Sequence, residues 1–166
     1  MSATGLPVFD KTLHITHLWL HDIMDDIGPD RQAAWKVLCS VLRTLRDRLP
    51  VNLAAHLGAG LPLLIRGAYY DQFRPDSMPT AIRTYEEFVD EVDYELSDMR
   101  PIDPDLAVQS VFRALSHYLT PGQVSKVRRS LPQSIRRVWT RVEDAALRRP
   151  QEPAPDRATA GSVPPL

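Results

Sequence analysis

Residues 61–73 read LPLLIRGAYYDQF, and residues 131–143 read LPQSIRRVWTRVE. Each segment places a proline after a leucine, then isoleucine and arginine three and four positions beyond it, then a large aromatic at the seventh. A missing backbone N–H is no loss in the first turn of a helix, so Leu-Pro reads as a helix start. Pro62 is expected inside the first turn of a helix carrying Leu63, Leu64, Ile65, Ala68 and Tyr69. Leu131-Pro132 opens another helix, expected to run to about Leu147.

The correspondence extends outward from these segments. A shift of 70 residues pairs Val41 with Val111, Leu42 with Phe112, Leu45 with Leu115, Leu49 with Leu119, Ile65 with Ile135, Arg66 with Arg136 and Tyr69 with Trp139. A shift of 69 pairs Trp19 with Phe88, Leu20 with Val89, Ile23 with Val92 and Ile27 with Leu96. The chain therefore reads as two tandem copies of one unit, about residues 9–73 and 82–147, each a long helix, a second long helix, a short helix and a Leu-Pro helix. The period is too long and the copies too few for a solenoid. The expectation is an all-α, compact domain of about eight helices with pseudo-twofold symmetry around a shared core.

Local signals place the remaining helices. Period-two alternation never persists, which argues against strands. The first helix is expected from about Asp10 to Ile27, with Leu13, Leu20, Ile23, Met24 and Ile27 buried, Trp19 at the edge, and Gly28-Pro29 as its end. Asp30 can cap the second helix, whose Ala34, Val37, Leu38, Val41, Leu42, Leu45 and Leu49 recur at helical steps until Pro50. Asn52 is expected to cap a short third helix to about Ala59. Thr84 with Glu87 forms a capping box for a helix to about Met99, and Asp103-Pro104 starts the next. Thr120, Pro121 and Gln123 open a short one. Residues 1–8 are expected to be a flexible N-terminus and the proline- and alanine-rich residues 148–166 a disordered tail. Its last residues, GSVPPL, suit either a recognition peptide or an idle terminus.

Composition bounds the function. The 166 residues suffice to bury roughly 68–70% of the unfolded chain's surface, so no disulfide or metal is needed for stability. A formal net charge of −1 gives no global attraction to nucleic acid or anionic lipid. One cysteine, Cys39, fits a reducing compartment, and no apolar run reaches the roughly 18 residues of a membrane span. The opening residues lack a secretory signal, and a cytoplasmic protein is expected.

Several stretches together resemble the bacterial family called domain of unknown function 2267. They are LRDRLP at residues 45–50, AAHLGAGLPLLIRGAYYDQFRP at 54–75, VFRALSHYL at 111–119, and LPQSIRRVW at 131–139. The resemblance covers about residues 8–142 and implies an all-helical fold with an internal duplication. It implies no activity and no catalytic residues. Where members carry a small residue and glutamine before Leu-Pro, this chain has Ala59-Gly60.

Candidate sites are few. His14, His17 and His21 share one face of the first helix, with Asp25 four residues further on, a spacing at which imidazoles can bind zinc or iron. A solvated polar face gives the same pattern. Asp47, Arg48 and Arg66 suit either a ligand anchor or a clamp on the carbonyl end of a neighbouring helix. The glycines of LGAGLP lack the third glycine and the lysine of nucleotide-binding loops, and they suit close approach of helix ends. Tyr69, Tyr70 and Phe73 cluster as an aromatic knot, and Cys39 lies in an apolar stripe where burial is expected.

Charge is unevenly spread. From Thr84 to Asp105 nine acidic residues face one arginine, and from Lys126 to Arg149 eight basic residues face two acidic ones. Arg128, Arg129, Arg136, Arg137 and Arg141 therefore form a candidate nucleic-acid surface. The same asymmetry also suits acidic and basic faces that meet within the fold or between copies. No nucleophile, base and orienting group assemble from motifs, and no cofactor is implied. The expected function is non-enzymatic, a cytoplasmic helical module acting by protein–protein association, through self-association or binding of a partner helix. Nucleic-acid binding is one alternative, and metal or small-ligand binding through the histidines is a second.

Overall fold

In a computed structural model that describes residues 2–149, the chain folds into eight α-helices and one 3₁₀ turn, with no strand among the described residues. They are α1 (Pro7–Ile27), α2 (Arg31–Arg48), α3 (Val51–Gly60), α4 (Leu63–Tyr70), α5 (Tyr85–Glu95), α6 (Pro104–Tyr118), α7 (Pro121–Ser130) and α8 (Gln133–Arg148). Of the expected tail, residues 150–166 lie outside the described residues.

Four of the helices begin with the caps that the sequence places there. The Asp30 carboxylate accepts the Ala33 N–H at 3.0 Å. Thr84 with Glu87 and Thr120 with Gln123 each complete a capping box. The Asp103 side chain accepts the Asp105 N–H, satisfying a donor that has no partner inside the helix.

Other boundaries differ from expectation. Pro62 and Pro132 stand just outside their helices, with extended ψ of 152° and 149°. The reason is that Leu61 and Leu131, held out of the helical region by the following proline, already end α3 and α7. Leu-Pro is thus a two-residue corner between helices rather than the first turn of one. Pro50 likewise precedes α3 directly, so Asn52 lies within the helix and does not cap it. Helix α1 begins at Pro7, three residues earlier than its pattern suggests, and the Asp10 carboxylate in its first turn accepts the Thr4 N–H at 3.1 Å. Helix α5 stops at Glu95 instead of Met99, and the Ser97 hydroxyl takes the Tyr94 carbonyl as acceptor at 2.7 Å.

All eight helices contribute to one apolar core. Helices α2 and α6 pack together at its centre, and α3 packs on α7. Helix α1 lies on α2, α4 and α6, while α5 lies on α6, α8 and α2. Trp19, expected at an edge, is 1% exposed because Tyr118 of α6 stacks on it with ring centroids 4.7 Å apart. Leu13, expected inside, is 40% exposed. Phe112 stacks on Trp139 at 4.4 Å, and the indole N–H donates to the Ser116 hydroxyl at 2.8 Å. The Tyr69 hydroxyl donates to the Ala54 carbonyl at 2.6 Å. Gly58 lies under the Tyr70 ring, where an added Cβ would meet ring atoms and displace that side chain.

Truncating either ring of the Phe112–Trp139 stack leaves a cavity as well as losing burial. Phe112→Ala and Trp139→Ala are each expected to cost about 3–5 kcal/mol in urea unfolding. The double variant should differ from the sum of the two by about 0.5–1.5 kcal/mol, the coupling of the aromatic pair.

Candidate functional site

Four arginines of the first half, Arg43, Arg46, Arg48 and Arg66, are spent on the frame. Arg66 donates to three carbonyls at the end of α3, those of Gly58 (3.0 Å), Ala59 (3.1 Å) and Leu61 (2.8 Å). This is the clamp reading of Arg66. Arg48 donates to the Ile82 carbonyl, and the Asp47 carboxylate accepts from Arg46 at 2.7 Å. Arg46 itself, which no motif singles out, is only 3% exposed. Its guanidinium donates to the carbonyls of Tyr69 (2.5 Å) and Asp71 (2.8 Å), and stands 5.5 Å from the Phe73 ring centroid. Arg43 adds the Ala68 carbonyl at 3.1 Å. Two arginines of α2 therefore satisfy the open carbonyl end of α4, where positive charge also suits the helix dipole. Arg136, aligned with Arg66, is exposed and makes no such clamp among the described residues.

The histidines His14, His17 and His21 are all exposed on α1. The geometry gathers His21 with Asp22 and Asp25, whose ligand atoms lie within 4.8 Å of one another. His14 and His17 stand outside that group. Asp22 is also approached from α6, by His117 Nδ1 at 3.2 Å and by the Tyr118 hydroxyl, which donates to it at 2.6 Å. Asp22 is thus tied into the α1–α6 contact. His117 comes from the other half of the chain, so spacing along α1 alone does not reveal it.

Two outer faces stand out among the described residues. On α8, Arg136, Arg137, Arg141 and Arg148, with Gln133, Thr140 and Asp144, share one outward face. Three of the five sequence candidates are brought together there, and Arg148 joins them. Arg128 instead pairs with Glu143, and Arg129 is exposed on α7. Between α1, α2 and α4, a groove of about 560 Å³ is lined by Phe9, Thr12, Trp35, Leu63, Leu64, Gly67 and Ala68, with Arg43 and Asp71 at its rim. Phe9, Leu63 and Leu64 are 48%, 56% and 40% exposed. Arg43 and Asp71 form an ion pair at 3.2 Å. Sequence periodicity misses this groove because Leu63 and Leu64 look like core residues; the signal is that their aligned positions hold Gln133 and Ser134.

An all-helical frame with an apolar outer groove and an arginine-rich outer face is the class of protein defined here. A family model described as "Uncharacterized conserved protein (DUF2267)" matches residues 16–138, from the middle of α1 to the second turn of α8. The chain belongs to that family. A search of curated proteins finds no match. Among the described residues no helix is long and apolar enough to cross a membrane.

Cys39 is 7% exposed, and burial pushes its thiol up to about 11. The proton is held to higher pH in the folded chain, so the thiol's contribution to stability is whole below the ordinary thiol range and is lost as pH rises through about 11. At pH 8, alkylation of the native chain by iodoacetamide is expected to be about 100-fold slower than that of the urea-unfolded chain, in proportion to the thiolate present. Equal rates would contradict the burial.

Proposed function

We propose that this protein is a cytoplasmic helical module that acts by protein–protein association rather than catalysis, built from two tandem four-helix units related by a pseudo-twofold axis. Helix packing supports the duplication. The contacts of α1 with α2, α4 and α6 have their counterparts in those of α5 with α6, α8 and α2, while α2–α6 and α3–α7 cross between the units. Buried positions also correspond: Leu61 with Leu131, Ile65 with Ile135, and Tyr69 with Trp139.

The observation that carries the association reading is the apolar groove over α1 and α4. Phe9, Leu63 and Leu64 hold apolar surface in solvent at one place, beside the polar rim of Arg43 and Asp71. An apolar centre with a polar rim is the anatomy of a docking site. Full burial of such a side chain is worth about 1.5–3 kcal/mol, so three of them can anchor a partner helix. The divergence between the units points the same way. They keep apolar residues at most inner positions, whereas outside, Leu63, Leu64, Gly67 and Asp71 align with Gln133, Ser134, Arg137 and Arg141.

A photo-reactive benzoylphenylalanine in place of Leu64 tests this in the living cell. The expected outcome is a discrete protein adduct that disappears with Phe9→Glu and is absent when the probe replaces the exposed Asp76. No protein adduct from position 64, or equal adducts from both positions, would contradict the reading.

A further inference from the structure

The second outer face is charged. Along α8, Arg137, Arg141 and Arg148 recur at steps of four and seven residues, forming one stripe that continues from Ser134. The Ser134 hydroxyl accepts the Tyr85 N–H at 2.9 Å, at the point where α8 meets the start of α5. On α5, Glu86, Asp90 and Asp93 recur at the same helical steps and are exposed. Glu95 lies on the other flank of α5, beside Ser40 and Arg43 of α2. Although the two helices touch, none of these six side chains forms an ion pair among the described residues. Among the described residues, three guanidiniums and three carboxylates thus stand without ion-pair partners on two helices that meet where both begin.

We propose that this face joins two copies of the chain, with a twofold axis at the α5–α8 seam laying the arginine stripe of each copy over the carboxylate stripe of the other. Two adjacent stripes of opposite charge are self-complementary under such an axis, because the rotation exchanges their places. A net charge of −1 leaves no large long-range repulsion between copies. Tyr94, one turn beyond Asp90 and 77% exposed, adds an aromatic contact at the edge of this face. A phosphate backbone suits the face less well. The arginines would attract it, but the carboxylate stripe beside them and Asp144 among them would repel it.

This inference uses a different surface from the apolar groove, and the two fail separately. Sedimentation equilibrium of the full chain should show a dimer at low salt and a monomer at about 1 M salt, where the Debye length falls to about 3 Å. The triple variant Arg137→Glu, Arg141→Glu, Arg148→Glu should dimerise at least about 10-fold more weakly, a loss of about 1.4 kcal/mol or more. The variant Glu86→Lys, Asp90→Lys, Asp93→Lys should weaken equally, and a mixture of the two should form a heterodimer. Circular dichroism confirms that both variants fold, and the adduct from position 64 should persist in each. A wild-type monomer at low salt, a dimer indifferent to both reversals, or failure of the mixture to pair would overturn the proposal. So would salt-dependent binding of a duplex oligonucleotide by a chain that stays monomeric.

Discussion

A leucine buried at the end of a helix, followed by a residue with extended dihedrals, is what turns this chain back on itself. Leu49-Pro50, Leu61-Pro62, Leu119-Thr120 and Leu131-Pro132 each join two helices through a two-residue corner. In three of the four, proline restricts the leucine before it to extended dihedrals and cannot donate to the helix it leaves; in the fourth, Pro121 restricts Thr120 in the same way. The leucine side chain then anchors the corner in the core. Loss of these anchors would detach the short helices α3, α4 and α7 from the centre, since none is long enough to be stable in water alone.

The helix that follows the second corner in each half is secured by different chemistry. In the first half Arg46 reaches from α2 to the carbonyls that end α4. At the aligned position in the second half, Ser116 of α6 accepts the indole N–H of Trp139. The first solution satisfies backbone acceptors with a buried cation, and the second satisfies a side-chain donor with a hydroxyl. The Arg46 guanidinium and the Trp139 indole N–H both therefore find partners, as a low-dielectric interior demands. With the inner contacts secured, the outer faces of α4 and α8 are free to differ, and they do, one apolar and one basic.

What was legible in the sequence is what local chemistry decides. Capping residues such as Asp30, Thr84 and Thr120 act within one turn, and the stripe of α2 points to a single core, so both emerge from spacing alone. Trp19 and Leu13 were misplaced because a helical wheel does not know that Tyr118 lies over one and solvent over the other. Arg46 was hidden by its type, since a cation in an apolar stripe is readable only once the carbonyls it serves are in place. The arginine face was half visible as a charge run. The pairing of Arg128 with Glu143, by contrast, depends on the Leu131-Pro132 corner bringing α7 beside α8. Asp22 escaped notice for the same reason, because its partners come from α6.

The crossed contacts α1–α6, α2–α5, α2–α6 and α3–α7 mean that neither half closes a core alone. The account therefore depends on one cooperative unit. The most direct test is urea unfolding of two chains in which Trp19 or Trp139 is the only indole left, followed by fluorescence and by far-ultraviolet circular dichroism. The account predicts a single transition in each chain, with fluorescence and circular dichroism giving the same midpoint and slope. Separate transitions, with the surroundings of Trp139 melting while those of Trp19 persist or the reverse, would contradict it.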